Sequence, residues 1–249
     1  FQLLFALDRV QEMASEHPEW EGKEPFKYVL GNNKDSLMAM GIEGLMDIVL
    51  ATHSGNTPAE FQQFVNDWMD NSRHPITGKR YTEMVFKPML ELMDYLEEYQ
   101  FKVYIVSGGG VDFMRAWAPK VYGLPKEQII GSSLRTEFVS TDGGVRLEKM
   151  AEIDFVDDKA GKVINIQKII GAKPIFCAGN SDGDLEMMQW TATNIHKSFK
   201  LFIHHTDGQR EFSYDRNSSF GKFDGALDLA REKGWKLVDM KNDWLEIYP

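Results

Sequence analysis

The 249-residue sequence predicts an α/β fold: a parallel sheet with crossover helices, preceded by a helical front part. From Pro88 onward, β-branched and aromatic runs such as "FKVYIVS" (101–107) and "KPIFCAG" (173–179) alternate with stretches of helical period such as "PMLELMDYLEEYQ" (88–100) and "KVINIQKIIG" (162–171). Strands that alternate with helices form parallel sheets joined by crossovers. Ahead of about residue 83 the alternation is missing, and apolar residues recur at helical spacing instead. An apolar content of 43% is enough for one α/β domain with a smaller accessory domain.

Each element has its own local reason. In "QLLFALDRVQEMASEH" (2–17), Leu4, Ala6, Val10 and Met13 fall at roughly helical spacing. "KDSLMAMGIEGLMDIVLATHSG" (34–55) continues helical, with glycines as weak points. In "NTPAEFQQFVNDWMDNS" (56–72), Thr57 suits the N-cap, Pro58 the first helical position and Glu60 a capping box, ahead of an apolar stripe of Phe61, Phe64, Val65 and Trp68. A turn-rich patch follows in which Arg73, His74, Lys79 and Arg80 are locally basic. "GGGVDFMRAWAPKVYG" (108–123) reads as a glycine turn into a helix, and residues 127–150 as strands around the turn "TDGG". "MMQWTA" (187–192) continues a helix, "FKLFIHH" (199–205) is a strand, and "KFDGALDLAREKGW" (222–235) closes with a helix.

The totals narrow the function. A net charge of −10, from 38 acidic and 28 basic residues, argues against a surface built for nucleic acid or an anionic membrane, while leaving room for one local cationic pocket. The single cysteine, Cys177, permits no intrachain disulfide, and it sits in an apolar run as a buried strand residue. No apolar run reaches membrane-spanning length, and no signal peptide is evident.

Four places can carry chemistry. At "VYIVSGGGVDF" (103–113) a strand ends in Ser107, and Gly108 and Gly109 open a helix. Ligands of open parallel sheets bind beyond the C-terminal strand ends, where free N–H groups favour anions, so these residues can hold a phosphoryl oxygen. A plain strand-to-helix turn explains the same glycines. In "DDKAGKVINIQKIIG" (157–171), Lys159 or Lys162 can neutralise charge on such a group, and a solvated charged turn is the alternative. In "GNSDGDLEMMQW" (179–190), Asn180, Ser181, Asp182 and Asp184 offer oxygens of the kind Mg²⁺ prefers. Capping accounts for Ser181 and Asp184 without needing Asn180 and Asp182. In "LFIHHTDGQREFSYD" (201–215), the adjacent His204 and His205 point to opposite faces of a strand, so one faces the site and zinc is disfavoured.

In chain order these pieces are a strand ending Ser107-Gly-Gly, a lysine before a helix, and a strand ending Gly179-Asn180-Ser181-x-x-Asp184. The series resembles the second, third and fourth motifs of the haloacid dehalogenase superfamily, in its phosphoserine-phosphatase-like branch. The 179–190 block and the following "HHTDGQREFSYDR" look like bacterial phosphatase-like members, many of them exported, which tilts the expected location toward the periplasm. The resemblance implies a Rossmann-like core over residues 83–249, a helical cap over 15–82, and residues 1–14 as the helix that follows the first motif. It implies phosphoryl transfer to an aspartate, then hydrolysis of the aspartyl-phosphate, with Mg²⁺ as cofactor and a small phosphate ester as substrate. Carried over by position, Ser107 and Gly108 bind the phosphoryl group, assisted by Gly109, Lys159 and Ser181. Lys162 is the charge-neutralising lysine, preferred to Lys159 because Ile166, Ile169 and Ile170 then fall on the buried side of the helix. Asn180 and Asp184 take the metal positions.

Two departures stand out. The family's first motif, a strand ending Asp-x-Asp that carries the nucleophile, is not found in residues 1–249, and the family order places it just upstream of Phe1. Asn180 stands where the family has aspartate, which supplies an oxygen without charge. A non-catalytic phosphate- or ligand-binding protein on the same fold, or a fragment inert by itself, is the alternative, and a hydrolase of a non-phosphate substrate is a weaker third. The basic residues 73–80 are expected near the mouth of the cap.

Overall fold

Six strands and eleven α-helices organise the residues described by the computed structural model, 1–218 and 221–249. The front part holds α1 (Gln2–Met13), α2 (Phe26–Leu30), α3 (Lys34–Ala39), α4 (Gly41–His53) and α5 (Pro58–Asn71). The expected helix over 34–55 is two helices, because Gly41 takes the left-handed region at φ +64 and the chain turns there. The α5 capping box forms as predicted. The Glu60 amide donates to Thr57 Oγ1 at 3.2 Å, and the Thr57 amide donates to Glu60 Oε2 at 2.8 Å. Phe61, Val65 and Trp68 are buried, and Phe64 is covered by the Arg9 guanidinium 4.4 Å from its ring centroid.

The α/β part runs α6 (Lys87–Glu98), β1 (Ile105–Gly110), α7 (Val111–Tyr122), β2 (Ile129–Thr141), β3 (Gly144–Phe155), α8 (Ala160–Ile170), β4 (Phe176–Gly179), α9 (Leu185–Ala192), β5 (Phe199–His204), α10 (Gly225–Glu232), β6 (Lys236–Asp239) and α11 (Met240–Asp243). The fold is mixed α/β with parallel pairings β1/β2, β4/β5 and β5/β6. β2 and β3 form a long antiparallel hairpin across the predicted turn, with Thr141 opposite Gly144. The strand expected over 101–107 starts only at Ile105, because pairing to β2 begins at Ile105 opposite Ile129. β6 was not anticipated; its four residues are too few to show a period.

The strands do not form one sheet. They divide into β1-β2-β3 and β4-β5-β6, with β1 and β4 as edge strands. Both of these edges line one apolar cavity of about 790 Å³, which α6 and α8 also line through Leu92, Leu96, Ile166 and Ile170. Two cores flank it. Phe5, Phe61, Trp68, Phe113, Trp117 and Ile129 join α1, α5 and α7 to β2, while Cys177, Met188, Phe202, Phe223 and Leu227 fill the space around β4 and β5. In α1 the buried stripe centres on Phe5, Ala6 and Val10, with Leu4 and Met13 only half-buried.

Candidate functional site

The predicted motifs meet where β1 and β4 end, and Lys162 joins them. It is 6% exposed on the first turn of α8. Its ammonium donates to the Val106 carbonyl of β1 at 2.9 Å and pairs with Asp184 Oδ1 at 2.8 Å. Asp184, 5% exposed, follows β4. Its Oδ2 accepts the Asn180 amide at 2.9 Å, the Ser181 amide at 3.2 Å and the Ser181 hydroxyl at 3.4 Å. One buried carboxylate thus holds the turn after β4 and the lysine that reaches β1. Gly179 permits this, since a Cβ there would lie 2.5 Å from Asp184 Cβ and 2.7 Å from its Oδ2.

At the tip of β1, Ser107 Oγ accepts the Gly109 amide at 3.1 Å, leaving its own O–H hydrogen to donate. The Gly110 amide donates to Gln2 Oε1 at 2.7 Å, and Ser132 Oγ donates to the Gly108 carbonyl at 2.8 Å. Ser107, Gly108, Lys162, Asn180, Ser181 and Asp184 therefore belong to one neighbourhood. The Gly109 amide is already engaged by Ser107. Lys159 is brought near only by its backbone, whose amide donates to the Gly183 carbonyl at 3.1 Å, while the residue itself is exposed. Of the three isoleucines expected on the buried side of α8, Ile166 is buried and Ile170 half-buried, but Ile169 faces solvent.

Asp182 has a structural use. Its Oδ1 accepts the amides of Asp224 and Ala226 at 2.9 Å each and so caps α10 from 42 and 44 residues away. Asn180 donates its side-chain amide to the Tyr214 hydroxyl and lies 3.5 Å from His205 Nε2. His205 is the histidine that faces the site. It is buried and stacked on Tyr214 with centroids 4.0 Å apart, whereas His204 approaches Asp215 at 3.3 Å. Burial raises the Tyr214 phenol above its usual range. Cys177 is buried as predicted, with its thiol pushed up to about 12 by burial, so it holds no reactive thiolate at neutral pH.

The oxygen donors only partly suit Mg²⁺. Asn180 Oδ1 accepts no hydrogen bond among the described residues, but both oxygens of Asp184 are engaged by the chain's own donors. Among the described residues no cluster of three or more His, Cys, Asp or Glu side chains could hold a metal ion. A hexacoordinate Mg²⁺ would need further carboxylates beside Asn180. The basic residues expected at the mouth of the cap have other neighbours in the fold. His74 packs on Tyr81 and Phe212, Lys79 sits over Tyr248, and none of Arg73, His74, Lys79 or Arg80 lines either described cavity.

Sequence reasoning missed a second cavity, of about 300 Å³, which opens from Gly108, Gly110 and Ser132 between α4 and the hairpin. Its polar side chains are Gln2, His53, Asp112, Ser132, Ser133 and Lys149, which carry no motif. Burial, then the charges of Lys149 and Arg9, hold the His53 imidazole down to about 3.

No family model and no curated protein matches the chain. Solved structures resemble it in fold. A protein of unknown function from Bordetella pertussis Tohama I matches with a TM-score of 0.54 at 12% identity, over 95% of this chain and 92% of that one. A conserved, functionally unknown protein from Anaerococcus prevotii DSM 20548 matches with a TM-score of 0.51 at 20% identity, over 76% of this chain. The match spans about half, 51%, of the Anaerococcus protein. A phosphoserine phosphohydrolase-like protein from Francisella tularensis subsp. tularensis SCHU S4 aligns with a TM-score of 0.45 at 12% identity, over 93% of this chain and 87% of that one. No helix among the described residues is long and apolar enough to cross a membrane.

Proposed function

We propose that the chain is the main body of a phosphatase of haloacid dehalogenase type, which hydrolyses a small phosphomonoester through an aspartyl-phosphate. One observation carries this reading: buried Lys162 holds the Val106 carbonyl and the Asp184 carboxylate together, tying the ends of two edge strands that line an apolar cavity. Edge strands present unpaired backbone groups, which are costly to bury. A further strand between β1 and β4 would pair both edges and end beside Ser107, Lys162 and Asn180. In this reading that strand supplies the nucleophilic aspartate, which is not among residues 1–249. Gln2, bonded to the Gly110 amide, keeps the start of α1 at the same end of β1.

The chemistry then divides among named groups. The aspartate carboxylate forms an O–P bond as the ester P–O bond breaks, and the departing alkoxide takes a proton. Water then attacks phosphorus, releasing inorganic phosphate and restoring the carboxylate. The Ser107 hydroxyl and Gly108 amide bind phosphoryl oxygens, and the Lys162 ammonium offsets their charge. Mg²⁺, bound by Asn180 Oδ1 and carboxylates of the added strand, would supply Lewis-acid polarisation of a phosphoryl oxygen.

The test is turnover of p-nitrophenyl phosphate and a phosphomonoester panel, with Mg²⁺ and with EDTA, by the protein carrying its native residues ahead of Phe1. Mg²⁺-dependent hydrolysis, lost on Lys162→Met, is expected, and residues 1–249 alone should be nearly inactive. A full-length protein with no Mg²⁺-dependent turnover would leave the second reading, a non-catalytic phosphate binder. The neutral Asn180 and the fully engaged Asp184 are what favour that alternative.

A further inference from the structure

The cavity beside Gly108 bears on the substrate's leaving group. Ile42, Leu45, Met46 and Val49 of α4 form one wall, and Leu134 and Ile153 of the hairpin form another. At about 300 Å³ it lies at the lower end of the range of small-molecule sites, about 300–1,000 Å³. Ile42 at its rim is 77% exposed, a large apolar side chain that nothing among the described residues covers.

The polar side chains in this cavity are already committed, Ser132 Oγ donating to the Gly108 carbonyl at 2.8 Å and Ser133 Oγ to Asp154 Oδ2 at 3.0 Å. Lys149 is 3% exposed, pairs with Asp112 and stands over the Phe61 ring at 4.8 Å from its centroid. The Gln2 amide oxygen accepts the Gly110 N–H, and its nitrogen lies 3.0 Å from His53 Nε2. Neutral His53 spends its other ring nitrogen on the Thr52 hydroxyl at 2.9 Å. The cavity therefore offers apolar walls and no free charge. The ammonium and carboxylate of an amino-acid ester would lose their water there without gaining partners, an unfavourable exchange.

We propose that the substrate is the phosphomonoester of an apolar alcohol, aliphatic or aromatic, whose hydrocarbon part occupies the cavity between α4 and the hairpin while its phosphate lies at the tip of β1. This rests on the phosphatase reading above, since Gly108 is common to the cavity and the proposed phosphoryl site. The hydrolysis balances as before; only the alcohol released is specified. Burying each methylene should raise kcat/KM by about fourfold until the cavity is full.

The experiment compares kcat/KM of the full-length protein for ethyl, hexyl and 1-naphthyl phosphate with that for O-phosphoserine and glycerol phosphate. Hexyl and naphthyl phosphate should exceed ethyl phosphate by at least about tenfold, and both polar esters should fall below hexyl phosphate. Leu134→Asn should shrink the hexyl-to-ethyl ratio. Preference for O-phosphoserine or glycerol phosphate, or a ratio near one, overturns the inference and leaves the phosphatase reading intact. If no ester is hydrolysed, the phosphatase reading fails, and 1-naphthol binding, followed by its fluorescence, decides the cavity. Binding weakened by Leu134→Asn supports an apolar ligand site, and absence of binding overturns it.

Discussion

Replacing Asp184 with asparagine separates the structural use of this carboxylate from any catalytic one. The carboxylate accepts from Lys162 on one oxygen and from two backbone amides and a hydroxyl on the other. Asparagine keeps the size but has one acceptor. With its oxygen toward Lys162, the NH₂ group meets the Asn180 and Ser181 amides; with the oxygen toward those amides, the NH₂ meets the ammonium. In both orientations donor faces donor, and Lys162, 6% exposed, keeps a buried charge without its counter-ion. Breaking a buried pair from one side costs about 3–5 kcal/mol. In a chain of this length each kcal/mol moves the melting temperature by about 2–4 °C. Asp184→Asn should therefore melt roughly 6–20 °C lower. The assay is urea and thermal denaturation of wild type, Asp184→Asn, Lys162→Met and the double variant. The double variant should be more stable than Asp184→Asn alone, because no buried charge is left unpaired. A loss below about 1 kcal/mol for Asp184→Asn, or strictly additive effects, would refute the reasoning. The outcome also governs how activity data are read, since an inactive Asp184 variant that is also unfolded says nothing about metal.

Two further outcomes follow from the same geometry. The His53 imidazole is held at about 3 when folded against 6.5 as the ordinary value, so the unfolded chain takes up the proton first. Its contribution to stability is complete above pH 6.5 and is lost as the pH falls toward 3, amounting to about 2 kcal/mol by pH 5. His53→Gln should lose that much less between pH 7 and pH 5 in urea titrations, and parallel curves for the two proteins would count against the buried neutral imidazole. Gly179→Ala should destabilise by about 1–3 kcal/mol, because the added methyl overlaps Asp184 and must displace it; an unchanged denaturation midpoint would show that the turn after β4 has room.

What was legible in the sequence was local. The α5 box, the hairpin turn and the glycine-terminated strands each announce themselves within a few residues. Lys162 was separable from Lys159 by position on the helix, although Ile169 turned out to face solvent. The features that escaped are long-range. Nothing adjacent to Asp182 shows that it caps a helix starting at Gly225, nor does any spacing link Gln2 to His53, 51 residues on, or Asp112 to Lys149. The split into two sheets escaped for a related reason, since a sequence shows which segments are strands but not which edges lack a partner.

The tip of β1 divides the site into two chemically unlike halves. On one side α8 and the turn after β4 bring an ammonium and a carboxylate paired at 2.8 Å, with the Asn180 side-chain oxygen beside them free of any donor among the described residues. On the other, α4 and the hairpin bring hydrocarbon, with every charge already neutralised. The Ser107–Gly110 segment adjoins both. Charge matters where a phosphoryl group changes its charge, and desolvated hydrocarbon matters where a leaving group has only to fit. On the proposed phosphatase reading, substitutions in α4 and the hairpin should alter selectivity without disturbing the Lys162–Asp184 ion pair. Changes near Lys162 act first on the contact between β1 and the turn after β4, because the Val106 carbonyl and the Asp184 carboxylate are its partners.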